Sequence, residues 1–280
     1  MYQTEQAQLK DFLFSHQILE YGATPASVCH LSLEKCKRVK LDFSPESVLV
    51  LLFPYFVREG KNLSCYATSE DYHLFAGQFG AELETFLLGL YPSSEFRFFC
   101  DNSPLDERHA ATLAGLGVMG DNGLFISHTY GSFVFIGAVL STLPAQAWGC
   151  DSVSSVKGCL HCGECRRACP TGYLRDREQP CLSALTQKKG TLTEQELAYL
   201  KKSGSVWGCD ACQMACPLNR KEGKIPQTPI DFFHKSRVEH ITSAYLDTID
   251  DALFSRRAFA WRGKNTILRN VLYLEEDHKS

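Results

Sequence analysis

Apolar residues in the first half of the chain follow two different spacings. Positions three or four residues apart predict helices, which we place at 8–18, 71–90 and from near Pro104 to about 114. Unbroken apolar and β-branched runs predict strands, which we place at 47–53, 96–100, 124–126 and 132–140. Only the first residue of the run 47–53 is polar, which favours a strand buried on both faces. A mixed α/β domain is therefore expected over residues 1–148.

The second half of the chain is richer in loops. Within residues 149–222 the pattern predicts one short helix, from Thr193 to Lys202, because Thr193 and Glu196 have the spacing of a capping box. A linker with two prolines at 223–229 follows, and the residues from about 229 to 274 have mostly helical spacing. We therefore predict an α+β fold in three parts: the α/β domain at 1–148, a small domain organised by metal at 149–222 and a helical C-terminal segment at 223–280.

Composition and charge limit the class of protein. The 280 residues are 44% hydrophobic and 22% charged, which is ordinary globular usage. No stretch reaches the ~18 apolar residues of a membrane span, and the first residues lack the pattern of a secretory signal. We expect a cytoplasmic protein with no membrane partner. The net charge of −3 argues against a globally basic nucleic-acid binder, although residues 253–270 hold five basic residues and no acid.

Cysteine spacing points to the chemistry. Nine of the thirteen cysteines lie between residues 150 and 216. Residues 159–170 read C-x2-C-x2-C-x3-C-P, which is the bacterial ferredoxin run, and residues 209–217 read C-x2-C-x3-C-P. Zinc, the alternative, prefers two separated pairs, whereas each run here has an extra cysteine and a C-P end. The spacing therefore predicts a bacterial-ferredoxin-like domain with two [4Fe-4S] clusters.

The pseudo-symmetry of the two runs assigns ligands to each cluster. In ferredoxins three cysteines of a run bind one cluster, and the cysteine before proline crosses to the other. Cluster one is then predicted to use Cys159, Cys162, Cys165 and Cys216. Cluster two is predicted to use Cys169, Cys209, Cys212 and, as the best remaining supply, Cys181 after Pro180. Cys150 is expected to be a bystander.

Several segments, taken in order, resemble one enzyme family. They are Phe99-Cys-Asp-Asn-Ser-Pro-Leu-Asp-Glu-Arg108, Ala114-Gly-Leu-Gly-Val-Met-Gly-Asp-Asn122, Tyr130-Gly-Ser-Phe-Val-Phe135, the cluster segment ending in Cys216-Pro-Leu-Asn219, and Trp261-Arg-Gly-Lys264 with Arg269-Asn270. Together they resemble the epoxyqueuosine reductases, iron–sulfur and cobalamin enzymes of the last step of queuosine formation in tRNA. The resemblance runs from about Val48 to Leu274.

The resemblance implies a cofactor set and roles for single residues. It implies a cobalamin held between the α/β domain and the ferredoxin-like domain, with electrons passing from an external low-potential donor through the two clusters to cobalt. Asp101 takes the position of the family's proton donor, where a strand-end cap would be its ordinary structural role. The anticodon stem-loop of tRNA is the implied partner. The implied cobalamin contacts are Cys65, Arg108, Gly117, Gly120, Phe125, Ser132 and Ile136.

Three departures from the family pattern keep other functions open. Asp121 stands where the family has lysine, Glu70 stands where it has a basic residue, and the sequence ends at Ser280 before the helical-repeat extension of many members. These changes bear on tRNA binding more than on the cofactors. The alternatives are a related reductase with a different substrate and an electron-transfer or corrinoid-reducing protein without substrate chemistry. A reductive dehalogenase-like enzyme matches the motifs less well.

Overall fold

The computed structural model describes residues 2–150 and 158–277. Six β-strands are β1 Tyr21–Pro25, β2 Ser47–Pro54, β3 Phe96–Cys100, β4 Gly117–Met119, β5 Phe125–Ser127 and β6 Val134–Ser141. The α-helices are α1 Gln3–Ser15, α2 Leu33–Arg38, α3 Tyr72–Leu90, α4 Glu107–Leu113, α5 Glu164–Ala168, α6 Leu182–Thr186, α7 Glu194–Ser203, α8 Ala211–Met214, α9 Ser243–Thr248, α10 Asp251–Ser255 and α11 Lys264–Asp277. In the part that the model describes, no helix combines the length and apolar character needed to cross a membrane.

The chain forms two compact units that do not follow the predicted three-part division. The first unit comprises residues 1–54, 75–160 and 228–230, and the second comprises 55–74, 161–227 and 231–280. The predicted C-terminal segment at 223–280 therefore belongs for the most part with the cysteine-rich residues. The reason is packing, because the apolar face of α11 lies against α6 and α7.

The first unit is built on a four-stranded antiparallel sheet with the order β1-β2-β6-β3. All eight residues of β2 are buried, which confirms the predicted two-sided strand. Because side chains alternate along a strand, Val48, Val50 and Leu52 pack in one cluster with the alanines of α4. Phe53, on the other face, makes edge contacts with Phe79 of α3 at 5.5 Å between ring centroids. The predicted α+β class is confirmed.

The ends and small elements of this unit differ from the sequence prediction. Helix α1 runs from Gln3 to Ser15 rather than over 8–18, because the chain turns at Gln17, whose φ is 62°. Strand β1 was not predicted. It is five residues long, includes Gly22 and Pro25, and bonds to β2 alone at the sheet edge. Its own sequence therefore carries little strand propensity.

The second unit has a core of its own. Trp207, Phe259, Ile267 and Val271 are each at most 1% exposed and belong to one apolar cluster. Helix α7 begins with the predicted capping box, in which Thr193 and Glu196 each accept the other's backbone N–H. Asn270 on α11 is fully buried, and its Nδ2 donates to the carbonyl oxygens of Thr186 (2.7 Å) and Val206 (2.9 Å).

Replacing Asn270 with alanine is expected to destabilise the second unit by about 2–4 kcal/mol, because two buried carbonyls lose their donor. The measurement is chemical denaturation of the reconstituted protein under anaerobic conditions. Asn265→Ala is the matched control, since Asn265 is an exposed asparagine on the same helix and should change the free energy of unfolding by less than about 0.5 kcal/mol. Equal midpoints for the two variants would contradict the assigned anchoring role.

Candidate functional site

The cysteine-rich loops of the second unit lead into very short helices. All thirteen cysteines lie in the described residues, and none forms a disulfide. Before α5 the backbone passes through left-handed conformations at His161 (φ 50°) and Gly163 (φ 75°), which curl the loop tightly. Helix α5 contains Cys165, and α8, which packs against α5, contains Cys212. Pro217 occupies the first position of a 3₁₀ turn directly after Cys216, where no backbone N–H is needed.

Three of the four cysteines predicted for cluster two lie close enough to influence one another. Burial raises the pKa of Cys209 to about 11, and the neighbouring charges of Asp210, Cys181 and Cys169 act in the same direction. Burial also acts to raise the pKa of Cys169, but N–H groups of Leu174, Thr171 and Gly172 outweigh it and lower the value. Sulfur that accepts backbone N–H bonds in this way is typical of an iron–sulfur site.

Cys65 belongs to the second unit and is tied to the cysteine-rich loop through Asp210. Its backbone N–H donates to Oδ2 of Asp210 at 2.6 Å, and the hydroxyl of Ser64 donates to Oδ1 at 2.9 Å. The Cys65 side chain is 3% exposed. Burial, followed by the charge of Asp210, raises the pKa of this thiol far above its usual range, so the group is neutral. Asp210 was missed at the sequence level, although an acid inside a C-x2-C motif is a signal.

Asp101 lies in an open cleft of the first unit, directly after β3. The cleft measures about 810 Å³ and is lined by residues of the 29–35 and 101–108 segments. Asp101 (φ 60°) and Asn102 (φ 49°) are consecutive left-handed residues. Aspartate and asparagine tolerate this conformation better than most non-glycine residues. The turn exposes Asp101 at the cleft wall.

The ends of β3 and β6 beside Asp101 are apolar but only partly covered. Cys100, the last residue of β3, pairs with Gly137 of β6. The neighbouring apolar side chains are half-buried, whereas the middle of β6 is fully buried. These half-buried side chains are Phe98, Phe99, Val134, Phe135 and Ile136. Phe99, Val134 and Ile136 lie on the face of the sheet that carries α4, whereas Phe98 packs against Phe53 and Phe79 on the other face. The first three form an apolar surface next to Asp101 that suits a flat apolar molecule.

The other predicted cobalamin contacts of the first unit have structural surroundings of their own. Arg108 is exposed and donates from Nη1 to the carbonyl of Gly123 at 2.9 Å. A Cβ on Gly117 would lie 2.2 Å from the carbonyl oxygen of Ile126, so the β4–β5 hairpin itself requires glycine there. Phe125 and Ser132 are 4% and 5% exposed, and Phe125 belongs to the apolar core.

Glu70, which stands where the family has a basic residue, pairs with an arginine of the second unit. Glu70 accepts two hydrogen bonds from the guanidinium of Arg256, at 2.8 and 2.6 Å. These bonds lower the pKa of Glu70. The acid at position 70 therefore pairs with one member of the basic stretch 253–270. In the same stretch Trp261 is 60% exposed, and the guanidinium of Arg262 lies 3.9 Å from the centre of its ring.

Comparison with known proteins places these features in context. Residues 158–219 match the family model of a 4Fe-4S double cluster binding domain, so this segment binds two clusters. The chain is 30% identical over 260 residues to the epoxyqueuosine reductase of Listeria monocytogenes, covering 84% of this chain and 65% of the relative. It is 30% identical over 223 residues to that of Gloeobacter violaceus, covering 75% and 68%. The chain thus spans about two thirds of these relatives.

A solved structure shares the fold. It is an epoxyqueuosine reductase crystallised with an epoxyqueuosine-modified tRNA-Tyr stem loop. The TM-score is 0.70 at 22% identity, and the match covers 96% of this chain and 81% of that one.

Proposed function

Because the chain belongs to the epoxyqueuosine reductase family, we propose that it reduces epoxyqueuosine to queuosine in the anticodon stem-loop of tRNA. The family membership rests on the match to the Gloeobacter violaceus relative. The observation that carries the proposal is the placement of Asp101, which directly follows the last residue of β3 and lines an open cleft of the first unit.

We propose that cobalamin is the cofactor and that it packs on the ends of β3 and β6, beside Asp101. The half-buried apolar side chains at the ends of β3 and β6 fit a flat macrocycle. Within the first unit, Ile136 would pack against it, and Arg108 and the hairpin of Gly120 would border it. When bound, cobalamin supplies the electrons that break a carbon–oxygen bond of the epoxide, and an external low-potential donor supplies them to the two clusters.

Asp101 is proposed to hold and deliver a proton. Reduction of an epoxide to an alkene consumes two electrons and two protons and releases water, so the departing oxygen must be protonated. A carboxyl group placed at the reacting atoms does this effectively. The exposed side chain of Asp101 at the cleft wall leaves its carboxyl group open to a substrate bound there. The apolar ends of β3 and β6 would keep water from that face of the substrate.

The basic stretch 253–270 is proposed to contact the tRNA. Exposed Trp261, with Arg262 over its ring, offers a flat surface of the kind on which an unpaired base stacks. Lys264 adds a positive charge that can pair with phosphate. Arg256 is committed to Glu70, and Arg269 donates to the carbonyl of Lys188 at 2.7 Å. Fewer positive side chains of this stretch are therefore available to bind phosphate than the sequence alone indicates.

The test is a turnover assay with anaerobically reconstituted protein and an anticodon stem-loop that contains epoxyqueuosine. We expect conversion to queuosine, read by mass spectrometry, from protein holding about eight iron atoms and one cobalt per chain. Protein that holds iron and cobalt but leaves the stem-loop unchanged would point to a different substrate. Protein that binds iron but no corrinoid would favour an electron-transfer function.

A further inference from the structure

Glu107, the first residue of α4, is a second carboxyl group in the Asp101 cleft. Its side chain is half-buried, and within the described residues its Oε1 atom is buried without a hydrogen-bond partner. Buried carboxylate oxygens are normally paired, since an unpaired one loses its hydration without compensation. The unpaired oxygen therefore makes a glutamate at this position costly for folding, which points to a functional role for its carboxyl group.

The groups around Glu107 link it to the Asp101 turn. The hydroxyl of Ser103 and the backbone N–H of Asp101 face its carboxyl group, and the side chains of Asp101 and Lys35 supply the nearest charges. Burial raises the pKa of Glu107 to about 7, and the charge of Asp101 adds to the rise, whereas Ser103, the N–H of Asp101 and Lys35 partly offset it. The other titratable or charged residues that line the cleft are Asp106, which caps α4, Arg108 on α4, and Cys29 and His30 on the facing segment.

We propose that Glu107 is a positioning residue for Asp101, holding its turn in place and returning a proton to its carboxylate after each turnover. The inference rests on the proposed function. Each time Asp101 has given a proton to the substrate, a proton leaves the carboxyl of Glu107 and goes to the carboxylate of Asp101. Glu107 is then reprotonated by hydronium or buffer acid, so that both protons consumed in a turnover come from the solvent. The buried Oε1 atom suits this role, because a protonated carboxyl group loses less hydration on burial than a charged one.

A glutamine at this position separates the proposal from a purely structural role. Glu107→Gln keeps the size and an acceptor oxygen for Ser103 and the N–H of Asp101, but it cannot carry a titrating proton. The wild-type rate is expected to fall as pH rises through about 7, because Glu107 loses its proton there. In Glu107→Gln this fall should be absent, with the rate lowered about 10-fold at pH 6. Glu34→Gln, an exposed acid on α2, should keep the wild-type profile.

A second measurement does not depend on turnover. A carboxyl with a raised pKa in the folded state binds more protons than in the unfolded state, so its contribution to stability falls as pH rises from about 4.5 to 7. The Tm of the wild type relative to Glu107→Gln should therefore be lower at pH 8 than at pH 5. If Glu107→Gln folds poorly, Ser103→Ala serves instead, and it should move the fall in rate to higher pH because the hydroxyl lowers the pKa.

The outcomes separate this inference from the proposed function. A wild type that never converts the stem-loop overturns the function, while the Tm comparison still reports on the ionisation of Glu107. Parallel Tm curves for wild type and Glu107→Gln, or a fall in rate near pH 7 that survives in Glu107→Gln, overturn the positioning role.

Discussion

Asp101→Asn is expected to lower turnover of the epoxyqueuosine stem-loop by about 10²–10⁴-fold, the range for loss of a general acid. The amide cannot donate a carboxyl proton to the departing oxygen. Binding of the clusters and of the corrinoid should be unchanged, because Asp101 lies after the last residue of β3 and is not among the predicted cofactor ligands. The measurements are single-turnover rates together with iron and cobalt content.

Asparagine is the informative replacement because of the backbone. Asp101 has a φ of 60°, and Asn102 beside it shares the left-handed conformation, so an asparagine keeps the turn while an alanine would strain it. Asp106→Asn is the matched control. It makes the same chemical change five residues away, and asparagine caps α4 as well as the aspartate that accepts the N–H of His109. An equal loss of rate in both variants would contradict the role of Asp101 as the proton donor.

The fold was predictable for elements whose own residue pattern indicates how they are buried. The run 47–53 is apolar on both faces, so its position as a central strand follows from its residues alone. The reverse holds for β1, whose weak sequence becomes a strand only because β2 offers an edge. The grouping of 231–280 with the cysteine-rich loops likewise depends on contacts between distant residues, such as Asn270 with Thr186, which periodicity cannot reveal.

The candidate site divides in the same way. The presence of two clusters in residues 158–219 could be predicted, because a loop around a cluster fixes the spacing of its cysteines at short range in sequence. The assignment of single cysteines to each cluster stays a prediction. Glu107 was not predicted, since the surroundings of its carboxyl group are set by tertiary packing rather than by neighbours in sequence. Asp210 was also missed, although its position inside a C-x2-C motif marked it as a candidate. Gly117 has a structural need for glycine that the sequence did not reveal, because a Cβ there would clash with the carbonyl oxygen of Ile126. Its contact with cobalamin stays a prediction.

The fourth thiolate predicted for cluster two, Cys181, is the one ligand that lies outside both cysteine motifs. A pair of cysteine variants tests its assignment. Cys181→Ala is expected to lower the iron content from about eight to about four atoms per chain, because it removes one ligand of a four-iron cluster. Cys181 is the N-cap residue of α6 in the second unit. Cys181 and Cys169 both lie close enough to Cys209 for their negative charges to raise its pKa. This proximity to Cys209 supports the prediction that Cys181 supplies the fourth thiolate of cluster two.

Cys150→Ala is the matched control, because Cys150 is the only other cysteine of the 150–216 region outside the two motif runs. It belongs to the first unit, where its Sγ lies 3.7 Å from the carbonyl oxygen of Trp148. Its variant should keep about eight iron atoms and the visible spectrum of the wild type. If Cys150→Ala lost iron and Cys181→Ala retained it, Cys150 rather than Cys181 would be the fourth ligand of cluster two. Because a missing ligand also removes metal-linked folding energy, Cys181→Ala should lower the Tm of the second unit while Cys150→Ala leaves it unchanged.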